Sequence, residues 1–532
     1  MGSLAMRMVT GRCCRSVTAM LPRLWTPPWL KQQQMKRRMF ATFTTDSKLR
    51  DDQRKIVNVL SASSRMIPVR GDQISLLESP TDFYEAIKDG IRNSRRRVVM
   101  ASLYIGTGKL ESELLDVVAD ALAENPALEV TLLFDAMRST RPTRDSKDPR
   151  FTSSAAMLST LLLADSAKWR QRKSVVNEER LKISFYRTPD LTKALQWLLP
   201  PRVNEVVGVC HLKAFVFDDN VLMTGANMSS SYFTNRQDRY IWFRDSPPLA
   251  NHFCSLIDVV SSYSFALGSG TRLLPKEASL TRKREDFCAQ MASSLGEFCS
   301  PGDEGEVPET GKEFDTFCFP TIQMGPLDIR QDEQCTIALL RGLPSGTHLQ
   351  LSSPYFNLTP EYEDVLLEVA ERNRVDILTA SPKANGFYGS AGVSGLIPKA
   401  YSLLEQNLYE RSQRIAQDDC DSFRKGLSIH EYERSGWTYH AKGLWGTLPS
   451  DLEGPSLTLI GSSNLGYRSR DRDLEAQLFV ITRNPHLVGQ LSAERDSLFS
   501  RAVKVDSRSF LDSDRSGGYM AAKASQLVRS WL

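Results

Sequence analysis

Six histidines are spread over 532 residues, and two of them open the same local pattern. His211 is followed at the second position by Lys213, and His440 by Lys442. Downstream of each pair stand an asparagine and then a carboxylate: Asn227 with Asp238 eleven residues on, and Asn464 with Glu475 eleven residues on. A lone histidine in an apolar run such as "CHLKAFVF" is ordinarily a satisfied core residue, and one His-x-Lys match says little. The same pair twice, with the same two polar residues at the same offset, describes one site built from two copies. Two histidines, two lysines, two asparagines and two carboxylates suit phosphoryl transfer without a metal. The lysines are point charges for phosphate oxygens and the asparagines neutral donors. Together they stabilise charge developing on the equatorial oxygens. One histidine attacks phosphorus while the other protonates the leaving group. Asp238 and Glu475 each hold an imidazole in its tautomer and orientation.

The elements around these residues must place them. Residues i and i+2 of a strand share a face, so His211 and Lys213 are expected to project together, with Leu212 and Ala214 filling the other side. His440 and Lys442 repeat the arrangement. Upstream, "VVMASLYIG" (98–106) echoes "LQLSSPYFN" (349–357), and "LEVTLLFDA" (128–136) echoes "VDILTASPK" (375–383). Each β-branched run adjoins a segment of helical period, "ESELLDVVADALAE" and "PEYEDVLLEVAER". Strands alternating with helices imply an α/β sheet, and the internal repeat implies two of them. The expected organisation is a first lobe at 46–267, a linker at 268–330 containing the acidic, Pro/Gly-rich "SPGDEGEVPETGK", and a second lobe at 331–532.

Composition narrows the class. Apolar residues make up 41% and charged residues 24%, as in ordinary globular proteins. A net charge of +4 is too small to argue for a nucleic-acid partner. Nine cysteines without a CxxC pair predict neither a disulfide framework nor a zinc site, and Cys210, Cys254 and Cys335 read as small buried residues. The first 45 residues carry Arg7, Arg12, Arg15, Arg23, Lys31, Lys36, Arg37 and Arg38 and no acid before Asp46, the composition of an organelle transit peptide. No run reaches the length needed to span a bilayer, so membrane contact is expected to be peripheral. "LQWLLPPR" (195–202) is a loop that offers Trp197, Leu198 and Leu199 to lipid or to a core. "IGTGKLES" (105–112) lacks the spacing of a phosphate loop, because Leu110 follows Lys109, and ATP is not expected as a cofactor. "RRR" at 95–97 reads as a solvated helix end.

The paired motif, H-x-K-x4-D followed by G-[S/A/T]-x-N, resembles the phospholipase D superfamily over about residues 80–500. His211, Lys213, Asp218, Asn227 and Asp238 match the first copy; His440, Lys442, Asn464 and Glu475 match the second. Two departures stand out: Thr447 occupies the position equivalent to Asp218, and "TLPSDLEGPS" (447–456) is inserted in the second copy. The resemblance implies two α/β lobes with one pseudo-twofold site between them, and a covalent phosphohistidine. Which histidine attacks is open from the residues alone; the resemblance assigns His211 as nucleophile and His440 as general acid and base, with Lys213, Asp218 and Lys442 beside them. "ASLYIGTGKLE", "GVCHLKAFVFDD", "TGANMSSSYFTNRQDRY", "SSPYFN" and "GSSNLGYRSRDRDLE" are similar to the mitochondrial phosphatidylglycerophosphate synthases. That similarity implies CDP-diacylglycerol and glycerol 3-phosphate as substrates, CMP as leaving group, no required cofactor, and a place at the matrix face of the inner membrane against anionic lipid. The acceptor's phosphate would need a cation, and Arg468, Arg470 and Arg472 after Asn464 are the candidates, with Arg138 or Lys383 as the next choices. A phosphodiesterase or nuclease with the same catalytic pair, or an inactive lipid-binding scaffold, are the alternatives; a nuclease would show a basic, aromatic-lined groove.

Overall fold

Runs rich in valine, leucine and isoleucine at 98–101, 128–134, 349–351 and 375–378 form the expected buried strands, because both faces of each are covered. The computed structural model describes residues 49–143, 151–163, 179–191, 197–198, 201–268, 271–276, 283–300, 314–390, 392–416, 425–512 and 515. The leader at 1–45 and the acidic core of the loop, 301–313, lie outside the described residues.

The internal repeat is the fold. In one nine-stranded sheet, Arg97–Ala101, Glu129–Asp135 and Leu181–Tyr186 run parallel. Ala214–Phe217 then pairs antiparallel with Arg97–Ala101, followed by Asn220–Thr224 and Tyr240–Phe243. The second nine-stranded sheet repeats this order: His348–Ser352, Arg374–Ala380 and Gly426–Tyr432 run parallel. Gly443–Thr447, Leu457–Gly461 and Leu474–Thr482 follow antiparallel. Helices Lys109–Glu124 and Pro360–Ala370 make the first crossover of each half, as right-handed βαβ connection requires.

The lobe boundaries are less simple than the expectation. Ile67–Val69 belongs to the second sheet, where it pairs with Thr316–Met324. Thr316–Met324 is itself a fully buried nine-residue strand running beside Leu474–Thr482, inside the segment expected as linker. The reason is the edge that Leu474–Thr482 would otherwise present: an open row of backbone donors and acceptors needs a partner. At the other end of that segment, Leu273–Pro275 closes the edge of the first sheet against Phe265–Leu267.

The two lobes share one apolar core. Leu212, Val216 and Met223 of the first half pack in the same buried cluster as Ala441, Trp445, Ile460 and Leu478 of the second. A two-residue parallel bridge, Arg236–Gln237 with Thr438–Tyr439, joins them in backbone. Arg239 is a polar pin through the same contact. Its guanidinium is fully buried, donates to the Leu459 carbonyl at 2.8 Å and to Thr458 Oγ1 at 2.9 Å, pairs with Glu494 at 2.8 Å, and lies 4.0 Å over the Trp445 ring. Gly443 makes room for it. At φ +121° a Cβ there would stand 1.9 Å from the Leu459 carbonyl oxygen and 2.5 Å from Arg239 Nη1. Gly443→Ala is therefore expected to cost about 2 kcal/mol or more from backbone strain alone, seen as a lower urea midpoint.

Candidate active site

The His-x-Lys segments are extended but precede the sheet strands, which begin at Ala214 and Gly443. They lie where the chain crosses to the opposite lobe. The His211 backbone N–H donates to the Leu474 carbonyl at 2.9 Å, and the His440 N–H donates to the Gln237 carbonyl at 2.7 Å. Two buried carboxylates grip the chain just before His211: Asp473 accepts from the Val209 N–H and Asp135 from the Cys210 N–H, each at 3.0 Å. Burial pushes Asp135 up to about 7. The expectation that these pairs sit within the ladder is thus corrected: docking against the other lobe, not strand pairing, fixes their backbone.

The side chains cross as well. His211 Nδ1 lies 2.9 Å and 3.0 Å from the two oxygens of Glu475, and His440 Nδ1 lies 2.6 Å from Asp238 Oδ2. Each histidine takes its carboxylate from the other lobe. Burial would raise Glu475, but the facing His211 and Lys213 hold it down at about 2. Asp238 is pushed up to about 6 by burial, against the pull of Lys442. Both carboxylates are ionised at neutral pH. Burial lowers both imidazoles, and His440 is driven further down by Lys442, Arg236, Lys213 and His211. Each ring is then neutral and donates Nδ1–H to its carboxylate, which leaves Nε2 as the basic nitrogen.

The two Nε2 atoms differ in their surroundings. Tyr232 Oη stands 3.1 Å from His440 Nε2 and accepts from Asn227 Nδ2 at 3.0 Å. Burial raises the phenol far above its ordinary range, so its O–H donates to His440 Nε2. No described side chain covers His211 Nε2 in this way.

Lys213 Nζ donates to the His211 carbonyl and Lys442 Nζ to the His440 carbonyl, both at 2.8 Å. Desolvation lowers Lys213 to about 7 and Lys442 to about 8. The side-chain oxygens of Asn227 and Asn464 are buried without a hydrogen-bond partner, which is costly unless a bound group completes them. Gly225 lets the chain pass Asp238, since a Cβ there would lie 2.8 Å from Oδ1. His211, Asp473 and Glu475 are close enough together to ligate a metal ion. Their carboxylates are already engaged, Glu475 by Ser469 Oγ at 2.6 Å and Asp473 by Arg468 at 3.2 Å.

Asp218 is not part of this arrangement. It is the first residue of the two-residue turn between Ala214–Phe217 and Asn220–Thr224, at φ +53°, a conformation aspartate tolerates. Its carboxylate accepts from the backbone N–H groups of Arg95, Arg96 and Arg97 at 2.7, 2.8 and 3.0 Å. Partial burial would raise it, but these three donors keep it below the usual carboxylate value. Asp218 pins a hairpin, and "FDDN" between apolar runs is the signal of such a turn. The same contact uses the backbone of the "RRR" run.

The acceptor arginines also move. Arg470 pairs with Asp471 at 2.9 Å and Glu361 at 2.6 Å. Arg468 pairs with Asp473, and Arg472 donates to the Val206 carbonyl at 2.9 Å. The alternation of arginine and aspartate in "RSRDRD" allows this local neutralisation. Lys383 pairs with Glu433 at 3.7 Å, whereas Arg138 stacks 3.8 Å over Tyr104.

Tyr232, Arg236, Tyr355 and Ser469 are absent from the sequence reading. Tyr355 packs edge-on to His440 with ring centroids 5.7 Å apart, and Tyr232 does so at 4.9 Å. A signal existed for one of them: Tyr355 echoes Tyr104 at the same place in the repeated "SLYIG" and "SPYFN". Tyr232 and Arg236 have no such echo. The glycine-bearing "IGTGKLES" is structural, since Gly106 and Gly108 make room for Glu111, which accepts from Ser230 Oγ at 2.9 Å.

No family model matches the chain. Among curated proteins, a Dictyostelium discoideum protein described as a probable CDP-diacylglycerol–glycerol-3-phosphate 3-phosphatidyltransferase is 38% identical over 462 residues, covering 83% of this chain and 74% of that one. The mitochondrial enzyme of that name from Gallus gallus is 36% identical over 480 residues, covering 83% and 80%. The Saccharomyces cerevisiae enzyme is 33% identical over 459 residues, covering 82% and 84%. Of solved structures, phosphatidylserine synthase from Haemophilus influenzae superposes with a TM-score of 0.67 at 20% identity, over 91% of this chain and 100% of that one. That likeness is one of fold, that of two α/β halves.

Two outcomes follow from the geometry. Lys213 and Lys442 are fully charged only below their lowered values of about 7 and 8, so the empty site loses positive charge as pH rises through this window. Sulfate, a dianion throughout, is expected to bind about tenfold or more weakly at pH 9.5 than at pH 6.5, read as a smaller thermal shift at matched ionic strength. Asp218→Asn is expected to lower the melting temperature by a few degrees while the folded fraction keeps its turnover. A loss of turnover without loss of stability would return Asp218 to the site.

Proposed function

The chain belongs to the CDP-diacylglycerol–glycerol-3-phosphate 3-phosphatidyltransferases, and from that premise we propose that it moves the phosphatidyl group of CDP-diacylglycerol to glycerol 3-phosphate by double displacement at the crossed histidines. The observation that carries the mechanism is the unequal state of the two imidazoles. His211 is held by the ionised Glu475, and no described side chain hydrogen-bonds its Nε2. His440 Nε2 is met by the Tyr232 hydroxyl. In this reading His211 Nε2 attacks the phosphorus that carries diacylglycerol, and the bond to the CMP oxygen breaks. Protonated His440 gives that oxygen its proton. The acceptor hydroxyl then loses a proton to His440 and attacks the phosphatidyl-histidine, which releases His211.

Lys213, Lys442, Asn227 and Asn464 hold the equatorial oxygens in both steps, so one set of fixed donors serves two transition states. Arriving phosphate charge offsets the crowd of cations that keeps His440 unprotonated in the empty site, and so raises its proton affinity when an acid is needed. The reaction as written needs no metal or organic cofactor. The arginine-rich, acid-free leader and the mitochondrial relatives support a place in the mitochondrion. No helix among the described residues is long and apolar enough to cross a membrane. Trp197 and Leu198, 87% and 71% exposed, support peripheral contact with anionic lipid at the matrix face.

Isotope exchange tests the mechanism. Labelled CMP is expected to enter CDP-diacylglycerol when acceptor is absent, and the full reaction to retain configuration at phosphorus. His211→Asn is expected to lose exchange and synthesis together, by at least about 10³-fold. Inversion at a chiral phosphorus would remove the covalent step.

A further inference from the structure

Close to the orienting carboxylates, the repeat that builds the site is broken by a reversal of charge. Two residues before Asp238 stands Arg236; two residues before Glu475 stands Asp473. The pseudo-twofold therefore places a guanidinium on one side of the site where it places a carboxylate on the other. Asp473 is committed to Arg468 and to the Val209 backbone.

Arg236 has no such commitment. It is half-buried, its Nε donates to Thr438 Oγ1 at 3.0 Å, and its plane lies 4.6 Å from the Tyr232 ring centroid. Its guanidinium hydrogen-bonds the neutral phenol of Tyr232 and lies near Tyr355 and Tyr104, and among the described residues no carboxylate forms an ion pair with it. A half-buried guanidinium without a counter-ion, packed on an aromatic face, is arranged for an anion that arrives from outside. A Cβ built on Gly386 would lie 3.4 Å from Arg236 Nη2 and 3.8 Å from Tyr355 Oη. These groups therefore border one another, and Tyr355 packs edge-on to His440.

In-line displacement decides what lies there. If His211 attacks from one side, the departing and the entering oxygens occupy the opposite side, next to His440. The CMP phosphorus is bonded directly to the departing oxygen, so that phosphate sits against His440 itself. In glycerol 3-phosphate three carbons separate the attacking hydroxyl from the phosphate ester. Arg236 is set back from His440 by the phenol ring of Tyr232, whose hydroxyl reaches His440 Nε2 at 3.1 Å while Arg236 covers its face. That set-back favours a phosphate several bonds away from the reacting oxygen, as in the acceptor, over one bonded directly to it, as in CMP.

We propose that Arg236 binds the phosphate of the acceptor, the group that is not transferred, and thereby selects glycerol 3-phosphate over alcohols lacking a phosphate. The assignment rests on the phosphatidyltransferase reading above and replaces the arginines of "RSRDRD" in this role.

The test compares two acceptors and one half-reaction on the full-length protein. Arg236→Ala is expected to lower kcat/KM for glycerol 3-phosphate roughly 10- to 100-fold, the scale of a lost charged hydrogen bond. Reaction with glycerol, which has no phosphate, and exchange of labelled CMP into CDP-diacylglycerol without acceptor report the folded state and any effect passed through His440. The loss with glycerol 3-phosphate is expected to exceed the change in either by about tenfold. Arg236→Lys should recover part of the loss, because an ammonium keeps the charge without the fork. An equal fall with both acceptors, or a matching fall in CMP exchange, would overturn the assignment and give Arg236 to the CMP phosphate or to structure. A wild-type protein that exchanges CMP but releases none in response to glycerol 3-phosphate would overturn the function itself, whatever the variants do.

Discussion

The structure depends on two hydrogen bonds that cross between lobes, His211 to Glu475 and His440 to Asp238. Each imidazole is contributed by one half and oriented by the other, so neither half contains a finished catalytic group. Whatever holds the lobes in register therefore also sets the tautomer of both histidines. The shared apolar core, the Arg236–Gln237 bridge to Thr438–Tyr439 and the buried Arg239 serve that register. The backbone bonds from His211 to Leu474 and from His440 to Gln237 apply it directly at the reacting residues. A small displacement of one lobe would break both crossed bonds at once, and near-attack geometry tolerates little displacement.

Burial gives this arrangement its electrostatic character. Two lysines, two carboxylates and two imidazoles are withdrawn from water in one small volume. The lysines fall toward neutrality and Asp238 rises toward it, each by desolvation. Only Glu475 is held firmly ionised, by His211 and Lys213. The site combines weakened lysine charge with asparagine Oδ1 atoms that have no donor among the described residues. A preorganised site of this kind needs no solvent rearrangement when charge develops.

The two halves are alike in strands and unlike in charge. Tyr232 covers His440 while no described side chain covers His211 Nε2 in the same way, and Arg236 holds the repeat position that Asp473 holds in the other half. A symmetric pair of imidazoles could not hold one role each for long, since either would attack and either would protonate. In the proposed mechanism, these departures from symmetry separate an attacking side from a side where alcohols enter and leave.

Much was legible in the residues themselves. Strand and helix periods in 98–136 and 349–383 predicted the two α/β halves, since hydrophobic period is a local property of the chain. The eight recurring residues, His211, Lys213, Asn227 and Asp238 with His440, Lys442, Asn464 and Glu475, were found because duplication preserves spacing. Asp218 was misplaced for the opposite reason: its spacing fits the motif, but the turn geometry of "FDDN" points its carboxylate to the backbone of Arg95–Arg97. Thr316–Met324 was read as linker because its role is to cover an edge formed by residues more than a hundred positions away. The crossing of the histidine–carboxylate pairs, the local neutralisation of Arg470 and the seating of Arg236 between Tyr232 and Thr438 all depend on which groups meet in the fold. Linear spacing carries no information about that, because those contacts are set by packing between halves. The sequence by itself thus singled out the paired histidines, lysines, asparagines and carboxylates, and the tertiary structure decided which of them touch.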